Sequence, residues 1–407
     1  MDDRAQFLAG IRPEILMGAE GNSRARSRRS VLAAGLIALA AIAIAGMVAH
    51  PLLIGTPSLD ASFPSEPSER ELLALRKAYS EAPGRWPKPR LLPGARFTEM
   101  APLEVRPAPE GKQLALARIG RELFEDPGLS ASGQIACQSC HNRQLGWGDA
   151  LPTSFGHGRA KGKRNAMPLF SVGYKSAFFW DGRSASLEEQ ALGPLTEASE
   201  MANHDLTAVV DRINANDSYR EALIGVTGGD KVEAADIISA LANFQRTLEQ
   251  PTRFDRYLRG DQNAFSDTEI WGLHIFRTKA GCANCHSGPL LSDGRFHNLG
   301  LSFFNRTLED LGRFNVTGAA ADTGKFLTPS LRHVSKTAPY MHNGIFPSLA
   351  GLIRFYEGGG GRVRSGQSVP AQRKALLDAV TEKSPQLKSF SLTPSERAAL
   401  VAFLESL

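Results

Sequence analysis

A chain of 407 residues, 42% hydrophobic and 22% charged, is longer than one core usually organises, so two domains with additional segments are expected. The formal net charge of +5 is modest and lies partly in N-terminal arginines, which leaves no indication of a nucleic-acid partner.

Taken in chain order, residues 1–30 carry Arg24, Arg26, Arg28 and Arg29 ahead of "VLAAGLIALAAIAIAGMVA", Val31 to Ala49. That stretch has no polar or charged side chain and as a helix would span roughly 28 Å, close to a bilayer's hydrocarbon thickness. It predicts a transmembrane helix over 31–53. The alternative is a cleaved signal peptide, since the run is alanine-rich and contains A-x-A sequences. The preceding arginines hold residues 1–30 in the cytoplasm and send everything after His50 across the membrane. Residues 54–112, rich in Pro, Ser and Glu, read as a tether followed by irregular structure.

The four cysteines form "CQSCH" (137–141) and "CANCH" (282–286). In an oxidising compartment two disulfides would be the plain reading. However, a histidine follows each C-x-x-C at once, which is the c-type haem attachment frame. Two thiols, Cys137 and Cys140 or Cys282 and Cys285, take the vinyl groups, while His141 or His286 reaches the iron. Zinc and a thioredoxin-like dithiol are competing readings; the dithiol would not require histidine next in both copies.

The two frames sit in an internal repeat. "IGRELF" (119–124) precedes the first and "WGLHIF" (271–276) the second, sharing Gly-x-x-x-Phe at Gly120/Phe124 and Gly272/Phe276. Ser266 and Glu269 form a capping box for a helix through Ile270–Phe276. Thr393, Pro394 and Glu396 open a final helix, "ERAALVAFLESL". The fold class expected is mainly α: two cytochrome c-like helical domains, 113–250 for haem 1 and 251–384 for haem 2, then a C-terminal helix at 385–407, all preceded by the transmembrane helix.

"FFWDGRSASLEEQALGPLTEASEM" (178–201), "GHGRAKGKRN" (156–165), "DGRFHNLG" (293–300) and "TPSLRHVSKTAPYMHNG" (328–344) follow in order along the chain. With the haem frames they make the chain from about Gly120 to Tyr356 resemble the bacterial dihaem cytochrome c peroxidase superfamily, which includes the MauG-type enzymes. The resemblance implies that Gln190, Pro194 and Glu200 line the distal pocket of haem 1, where Glu200 would move a proton between the oxygens of H₂O₂. It implies that Trp180 relays electrons between the haems, with Phe178 and Phe179 as packing. His157 resembles a displaceable second ligand on haem 1, in a loop loosened by Gly156, Gly158 and Gly162. Asn165, Thr337 and Pro339 match an interdomain calcium site. By the same resemblance, the last twenty or so residues are expected to return and pack on the first domain.

The family's variable ligand on haem 2, methionine in ordinary peroxidases and tyrosine in the MauG type, comes fourteen positions after the histidine matching His342. That position is Tyr356, in "LIRFYEGGGG", and Met341 is the only methionine after "CANCH". A tyrosinate is hard and anionic and favours ferric and higher states, whereas a thioether favours ferrous iron. His297, His333 and His342 are expected to support the axial ligands or the haem propionates, and His204 and His274 to be ordinary.

The expected function is reduction of H₂O₂ at haem 1, with electrons from a small periplasmic donor, a cytochrome c or cupredoxin, passing through haem 2 and Trp180. One alternative is a MauG-type enzyme that uses high-valent dihaem iron to oxidise residues of a partner protein. The other is a dihaem electron carrier without catalysis, against which the Gln190/Glu200 pair argues. The implied location is the periplasm, anchored to the inner membrane, and a homodimer is compatible with the resemblance.

Overall fold

Capping residues near the ends of the chain start helices as the sequence demands. In the computed structural model, which describes residues 58–363 and 368–407, helix α1 (Glu69–Tyr79) begins at Ser68. The Ser68 hydroxyl accepts from the Glu71 N–H, and the Glu71 carboxylate takes the Ser68 N–H at 2.7 Å. The helices that follow are α2 (Gly111–Glu125), α3 (Leu187–Thr196), α4 (Thr207–Ala215), α5 (Asp217–Thr227), α6 (Ala234–Gln245), α7 (Arg253–Leu258) and α8 (Asp267–Arg277). After them come a short α9 (Phe314–Thr317), α10 (Leu349–Glu357), α11 (Lys374–Thr381) and α12 (Pro394–Glu405). The Ser266–Glu269 box caps α8, and Thr393 with Glu396 caps α12, both as expected. The sheet described is a single antiparallel pair, β1 (Phe296–Asn298) and β2 (Lys325–Leu327), with Phe296 opposite Leu327 and His297 opposite Phe326.

Two helix crossings organise the interior, and both exist because a glycine leaves out a side chain. A Cβ on Gly120 of α2 would lie 1.9 Å from the Ala240 carbonyl oxygen of α6 and 3.0 Å from Phe244 Cβ. A Cβ on Gly272 of α8 would lie 2.0 Å from the Ala399 carbonyl oxygen of α12 and 2.7 Å from Phe403 Cβ. The aromatic seams repeat as well. Phe124 meets Phe244 edge-on at 5.1 Å, and Phe276 meets Phe403 edge-on at 5.2 Å. The repeat seen in α2 and α8 therefore extends to their partners, "ALANF" (240–244) and "ALVAF" (399–403), a likeness that reading the haem frames alone does not bring out.

Buried side chains fall into two clusters within the compact unit formed by Pro57–Leu407. One draws on residues 116–248, around α2, α3 and α6. The other draws on 63–100 and 254–407, around α8, α10 and α12.

Three expectations need correction. The fold class included a transmembrane helix. The 31–53 segment lies outside the described residues, and among the described residues no helix is long and apolar enough to cross a membrane. The longest described helix, α2, has 15 residues, about 22 Å at the helical rise, and one of its faces is polar. Residues from 58 onward are also more than a tether. Phe63, Leu75, Tyr79, Trp86 and Met100 are built into the second cluster, and Arg277 reaches back to Glu99 at 2.5 Å. Finally, α12 does not return to the first cluster: its small Ala399 lets it cross α8, and the Leu407 carbonyl accepts the His333 N–H at 2.6 Å.

Candidate functional site

Each C-x-x-C is a single turn of 3-10 helix, Cys137–Ser139 or Cys282–Asn284, after which the histidine N–H returns to the first cysteine's carbonyl, at 3.0 Å for His141 and 2.9 Å for His286. Each imidazole is then fixed the same way. His141 Nδ1 lies 3.0 Å from the Trp147 carbonyl, and His286 Nδ1 lies 2.9 Å from the Leu291 carbonyl. A carbonyl can only accept, so Nδ1 carries the proton and Nε2 presents its lone pair, the arrangement of a metal-ligating histidine. Trp147 and Leu291 both adopt positive φ, 59° and 50°, a backbone conformation uncommon for such residues. Burial lowers the pKa of both imidazoles, against the opposing effect of those hydrogen bonds, which keeps them neutral.

All four thiols are unpaired, so the disulfide reading fails. Burial pushes Cys137, Cys282 and Cys285 up to about 12, leaving them protonated and unlike an activated dithiol. Zinc fails on geometry. Among the described residues the metal-capable atoms that converge within 4.8 Å belong to Cys285, Asp293 and His297, not to either cysteine pair with its histidine. Thiols spread along a turn and a histidine aimed elsewhere suit a group as wide as a porphyrin.

Helix α3 carries Gln190 and Pro194, both half-buried. The Pro194 carbonyl accepts the Met201 N–H at 3.2 Å and the Leu195 carbonyl accepts from Asn203, so the turn after α3 folds back and brings Glu200 inward. Glu200 is close enough to Cys137 and Cys140 for its charge to bear on both thiols. Its own carboxyl is raised by burial first and by Glu197 second, against Arg183, which itself stacks on Phe179. The Glu200 carbonyl accepts the His157 N–H at 2.8 Å, and a Cβ on Gly156 would lie 2.2 Å from the Ser199 carbonyl. The histidine loop is thus seated directly on the Glu200 turn, and His157 Nδ1 is buried without a partner, as an atom reserved for another group would be.

Trp180 is buried and donates from Nε1 to the Asn165 carbonyl at 3.0 Å, while its own carbonyl accepts the Leu327 N–H of β2 at 2.8 Å. His342 lies edge-on to Trp180 at 6.4 Å and stacks on Phe326 at 3.6 Å, giving a continuous run of rings. Burial pushes the His342 imidazole down to about 4, with Asp310 partly opposing, and its Nε2 has no partner. Arg164 closes this region. It grips Asp310 through two bonds, at 2.7 and 2.8 Å, and Asp181 at 2.6 Å. Sequence reasoning missed this clamp because its partner is 146 residues away. Asn165 N–H bonds the His342 carbonyl at 2.7 Å and its amide bonds the Leu151 carbonyl, while the Thr337 hydroxyl turns to the Val334 carbonyl. Calcium at Asn165, Thr337 and Pro339 stands on the resemblance alone.

Beyond the second frame, Tyr356 lies on α10, its phenol raised well above the usual range by burial, with Cys285 and Cys282 adding to the effect. The tyrosine is thus within electrostatic reach of both thiols of the second frame. Of the supporting histidines, His297 pairs with buried Asp293 at 2.7 Å. His333 serves architecture, with Nε2 on the Gln250 carbonyl and its ring stacked on Phe170 at 4.1 Å. His204 is exposed; His274 is buried between Tyr79 and the Asp60 carbonyl.

Residues 114–263 match the family described as di-haem cytochrome c peroxidase. The methylamine utilization protein MauG of Methylorubrum extorquens is 35% identical over 378 residues, covering 91% of this chain and 94% of that protein. The cytochrome c551 peroxidase of Nitrosomonas europaea is 37% identical, covering 69% of this chain and 84% of that protein. Among solved structures, a MauG-like protein associated with microbial copper homeostasis superposes with a TM-score of 0.64 at 30% identity, over 79% of this chain and 93% of that one.

Proposed function

Because the chain belongs to the di-haem cytochrome c peroxidase family, and so is an oxidoreductase acting on peroxide with two c-type haems, we propose that it reduces H₂O₂ at the haem of Cys137, Cys140 and His141. Electrons would come from a small donor protein by way of Trp180 and the haem of Cys282, Cys285 and His286. When bound, the haems supply the redox-active iron at which H₂O₂, two electrons and two protons become two waters. The chain's residues handle the protons and the access. Glu200 is the group able to take a proton from the near peroxide oxygen and return it to the far one. Gln190 and Pro194 shape the space beside it, and His157 is the group that would have to leave to admit substrate. Trp180, with its indole proton held by the Asn165 carbonyl, is suited to passing electrons rather than protons.

The observation that carries this reading is the position of Glu200, whose charge reaches both thiols of the first frame while its carbonyl holds the His157 loop. Glu200→Gln in the holoenzyme is expected to lower kcat/KM for H₂O₂ by roughly 10²–10⁴-fold in stopped-flow assays. A variant as fast as the wild type removes Glu200 from the mechanism.

A second reading, oxidation of a partner protein, is supported by one particular feature. Tyr356, not a methionine, is within electrostatic reach of the second frame's thiols, and a relative named MauG matches 91% of the chain. Resting-state EPR separates histidine/tyrosine from histidine/methionine ligation. Tyr356→Met is expected to raise the second haem's midpoint potential by on the order of 100 mV, within the ~0.8 V that axial ligands span. An unchanged potential would take Tyr356 off the iron.

We also place the enzyme in the periplasm, since covalent haem attachment follows export, and cell fractionation with haem staining checks this. The calcium proposal, at Asn165, Thr337 and Pro339, stands on the resemblance, since amide and carbonyl oxygens suit a hard cation. Metal analysis before and after chelation tests it.

A further inference from the structure

Three tight loops, each closed by one β-bridge, meet beside the first frame: Asn142 pairs with Gly148, Phe155 with Lys161, and Tyr340 with Phe346. Their mutual contact is close. A Cβ on Gly146 would lie 2.3 Å from the Lys336 carbonyl, and one on Gly344 would lie 2.4 Å from Pro152 Cα. Asn165 ties the group together through its bonds to the His342 and Leu151 carbonyls. These contacts hold the loops together as one surface.

That surface is apolar at its tips and basic around them. Leu145 is 43% exposed, Leu151 39%, Phe155 52% and Ile345 39%, four large side chains left in water on adjoining segments. Arg143, Arg159, Lys161, Lys163 and Lys336 are exposed, and their side chains make no hydrogen bond or ion pair among the described residues. Within 142–164 and 334–347 the single carboxylate is Asp149, whose Oδ1 already accepts the Leu151 N–H. The remaining cation, Arg164, is consumed by Asp310 and Asp181. Phe155 and Lys161 are cross-strand partners, so their side chains share a face, and Lys163 is two residues further along.

We infer that this surface docks an acidic protein that brings carboxylates to the basic rim and an apolar centre to Phe155 and its neighbours. Unpaired surface charge of one sign steers encounter with its opposite, and exposed apolar tips gain only when another apolar surface covers them. A protein fits better than a membrane or a nucleic acid, because the apolar tips belong to short loops rather than to an amphipathic helix or a row of stacking rings. The surface includes the loop carrying His157, whose N–H is held by the Glu200 carbonyl. The docking itself does not rest on the proposed function.

The test uses holoenzyme and a reduced acidic plastocyanin as probe, with binding read by calorimetry at low salt and at about 0.5 M salt, where charge contacts are screened. Lys161→Glu/Lys163→Glu is compared with Lys77→Glu/Lys112→Glu, an equal charge change on exposed residues of α1 and α2. The wild type and the control are expected to bind saturably, while the loop variant and high salt each weaken Kd roughly tenfold or more. Phe155→Ser is expected to weaken binding without altering its salt dependence. The inference is overturned by absence of saturable binding to the wild type, by equal losses in loop variant and control, or by tighter capture on anionic phosphatidylglycerol vesicles or a single-stranded oligonucleotide. Peroxide turnover with neutral hydroquinone, measured in parallel, reports on the peroxidase reading alone and is expected to be the same in the wild type and the Lys77→Glu/Lys112→Glu control.

Discussion

His274 shows how a single residue can matter without belonging to any motif. Its Nδ1 lies 3.1 Å from the Tyr79 hydroxyl and its Nε2 lies 3.0 Å from the Asp60 carbonyl, so both ring nitrogens are occupied in the neutral form. Burial, with a smaller push from the Arg277 charge, brings it down to about 4, while the Asp60 hydrogen bond and charge act the other way. A folded pKa below the unfolded value of about 6.5 means that the unfolded chain binds the extra proton first, so stability falls as pH drops through the window from about 6.5 to about 4. Denaturant unfolding of the holoprotein should therefore lose about 2 kcal/mol from His274 between pH 7 and pH 5. His274→Gln should reduce the pH dependence by that amount, and an unaltered slope would show that His274 is not the acid-sensitive group. His141 and His286 could be recognised from "CQSCH" and "CANCH" because their partners follow within six residues. His274 could not, because Tyr79 is 195 positions away.

At the level of elements, the two glycine crossings are the parts most exposed to substitution. Gly120→Ala would put a methyl group 1.9 Å from the Ala240 carbonyl oxygen, and Gly272→Ala would put one 2.0 Å from that of Ala399, so each helix pair must move apart. Each change is expected to cost about 1–3 kcal/mol or more, since backbone atoms yield less readily than a side chain. Because the glycines lie in different clusters, the double variant should lose nearly the sum in thermal unfolding, and a large departure from additivity would mean that the clusters share one packing defect. Gly-x-x-x-Phe before each haem frame was legible. The matching Ala-x-x-x-Phe in α6 and α12 was equally present in the sequence, but its meaning depends on which helix lies across it. Capping was legible for the same reason as the haem frames: Ser266 with Glu269 and Thr393 with Glu396 act within one helical turn.

Across the whole molecule, Arg164 joins pieces that the sequence keeps far apart. It lies two-thirds buried or more, bonded to Asp181 near Trp180 and to Asp310 ahead of β2, beneath the Phe326 and His342 rings. Arg164→Ala would leave two buried carboxylates facing each other and is expected to cost about 3–5 kcal/mol in denaturant unfolding. Arg164→Lys should recover only part of that, since an ammonium cannot reproduce the two-pronged grip on Asp310. A loss below about 1 kcal/mol would place the pair among solvent-screened bridges instead. The chain from Ser58 onward also behaves differently from its composition. Its Pro- and Ser-rich sequence reads as a tether, yet Leu75, Tyr79 and Trp86 are built into the second cluster, because α8 and Arg277 offer a surface for them.

The amino-acid sequence by itself determined where two haems attach and which family the chain belongs to, because covalent attachment and capping depend on residues a few positions apart. Only the tertiary structure decided that α12 closes the second cluster, that Glu200 and His157 share one turn, that Arg164 binds Asp310, and that basic loops gather around exposed apolar tips. Those relations join segments dozens to hundreds of residues apart, and their energies depend on distances that no local pattern of side chains encodes.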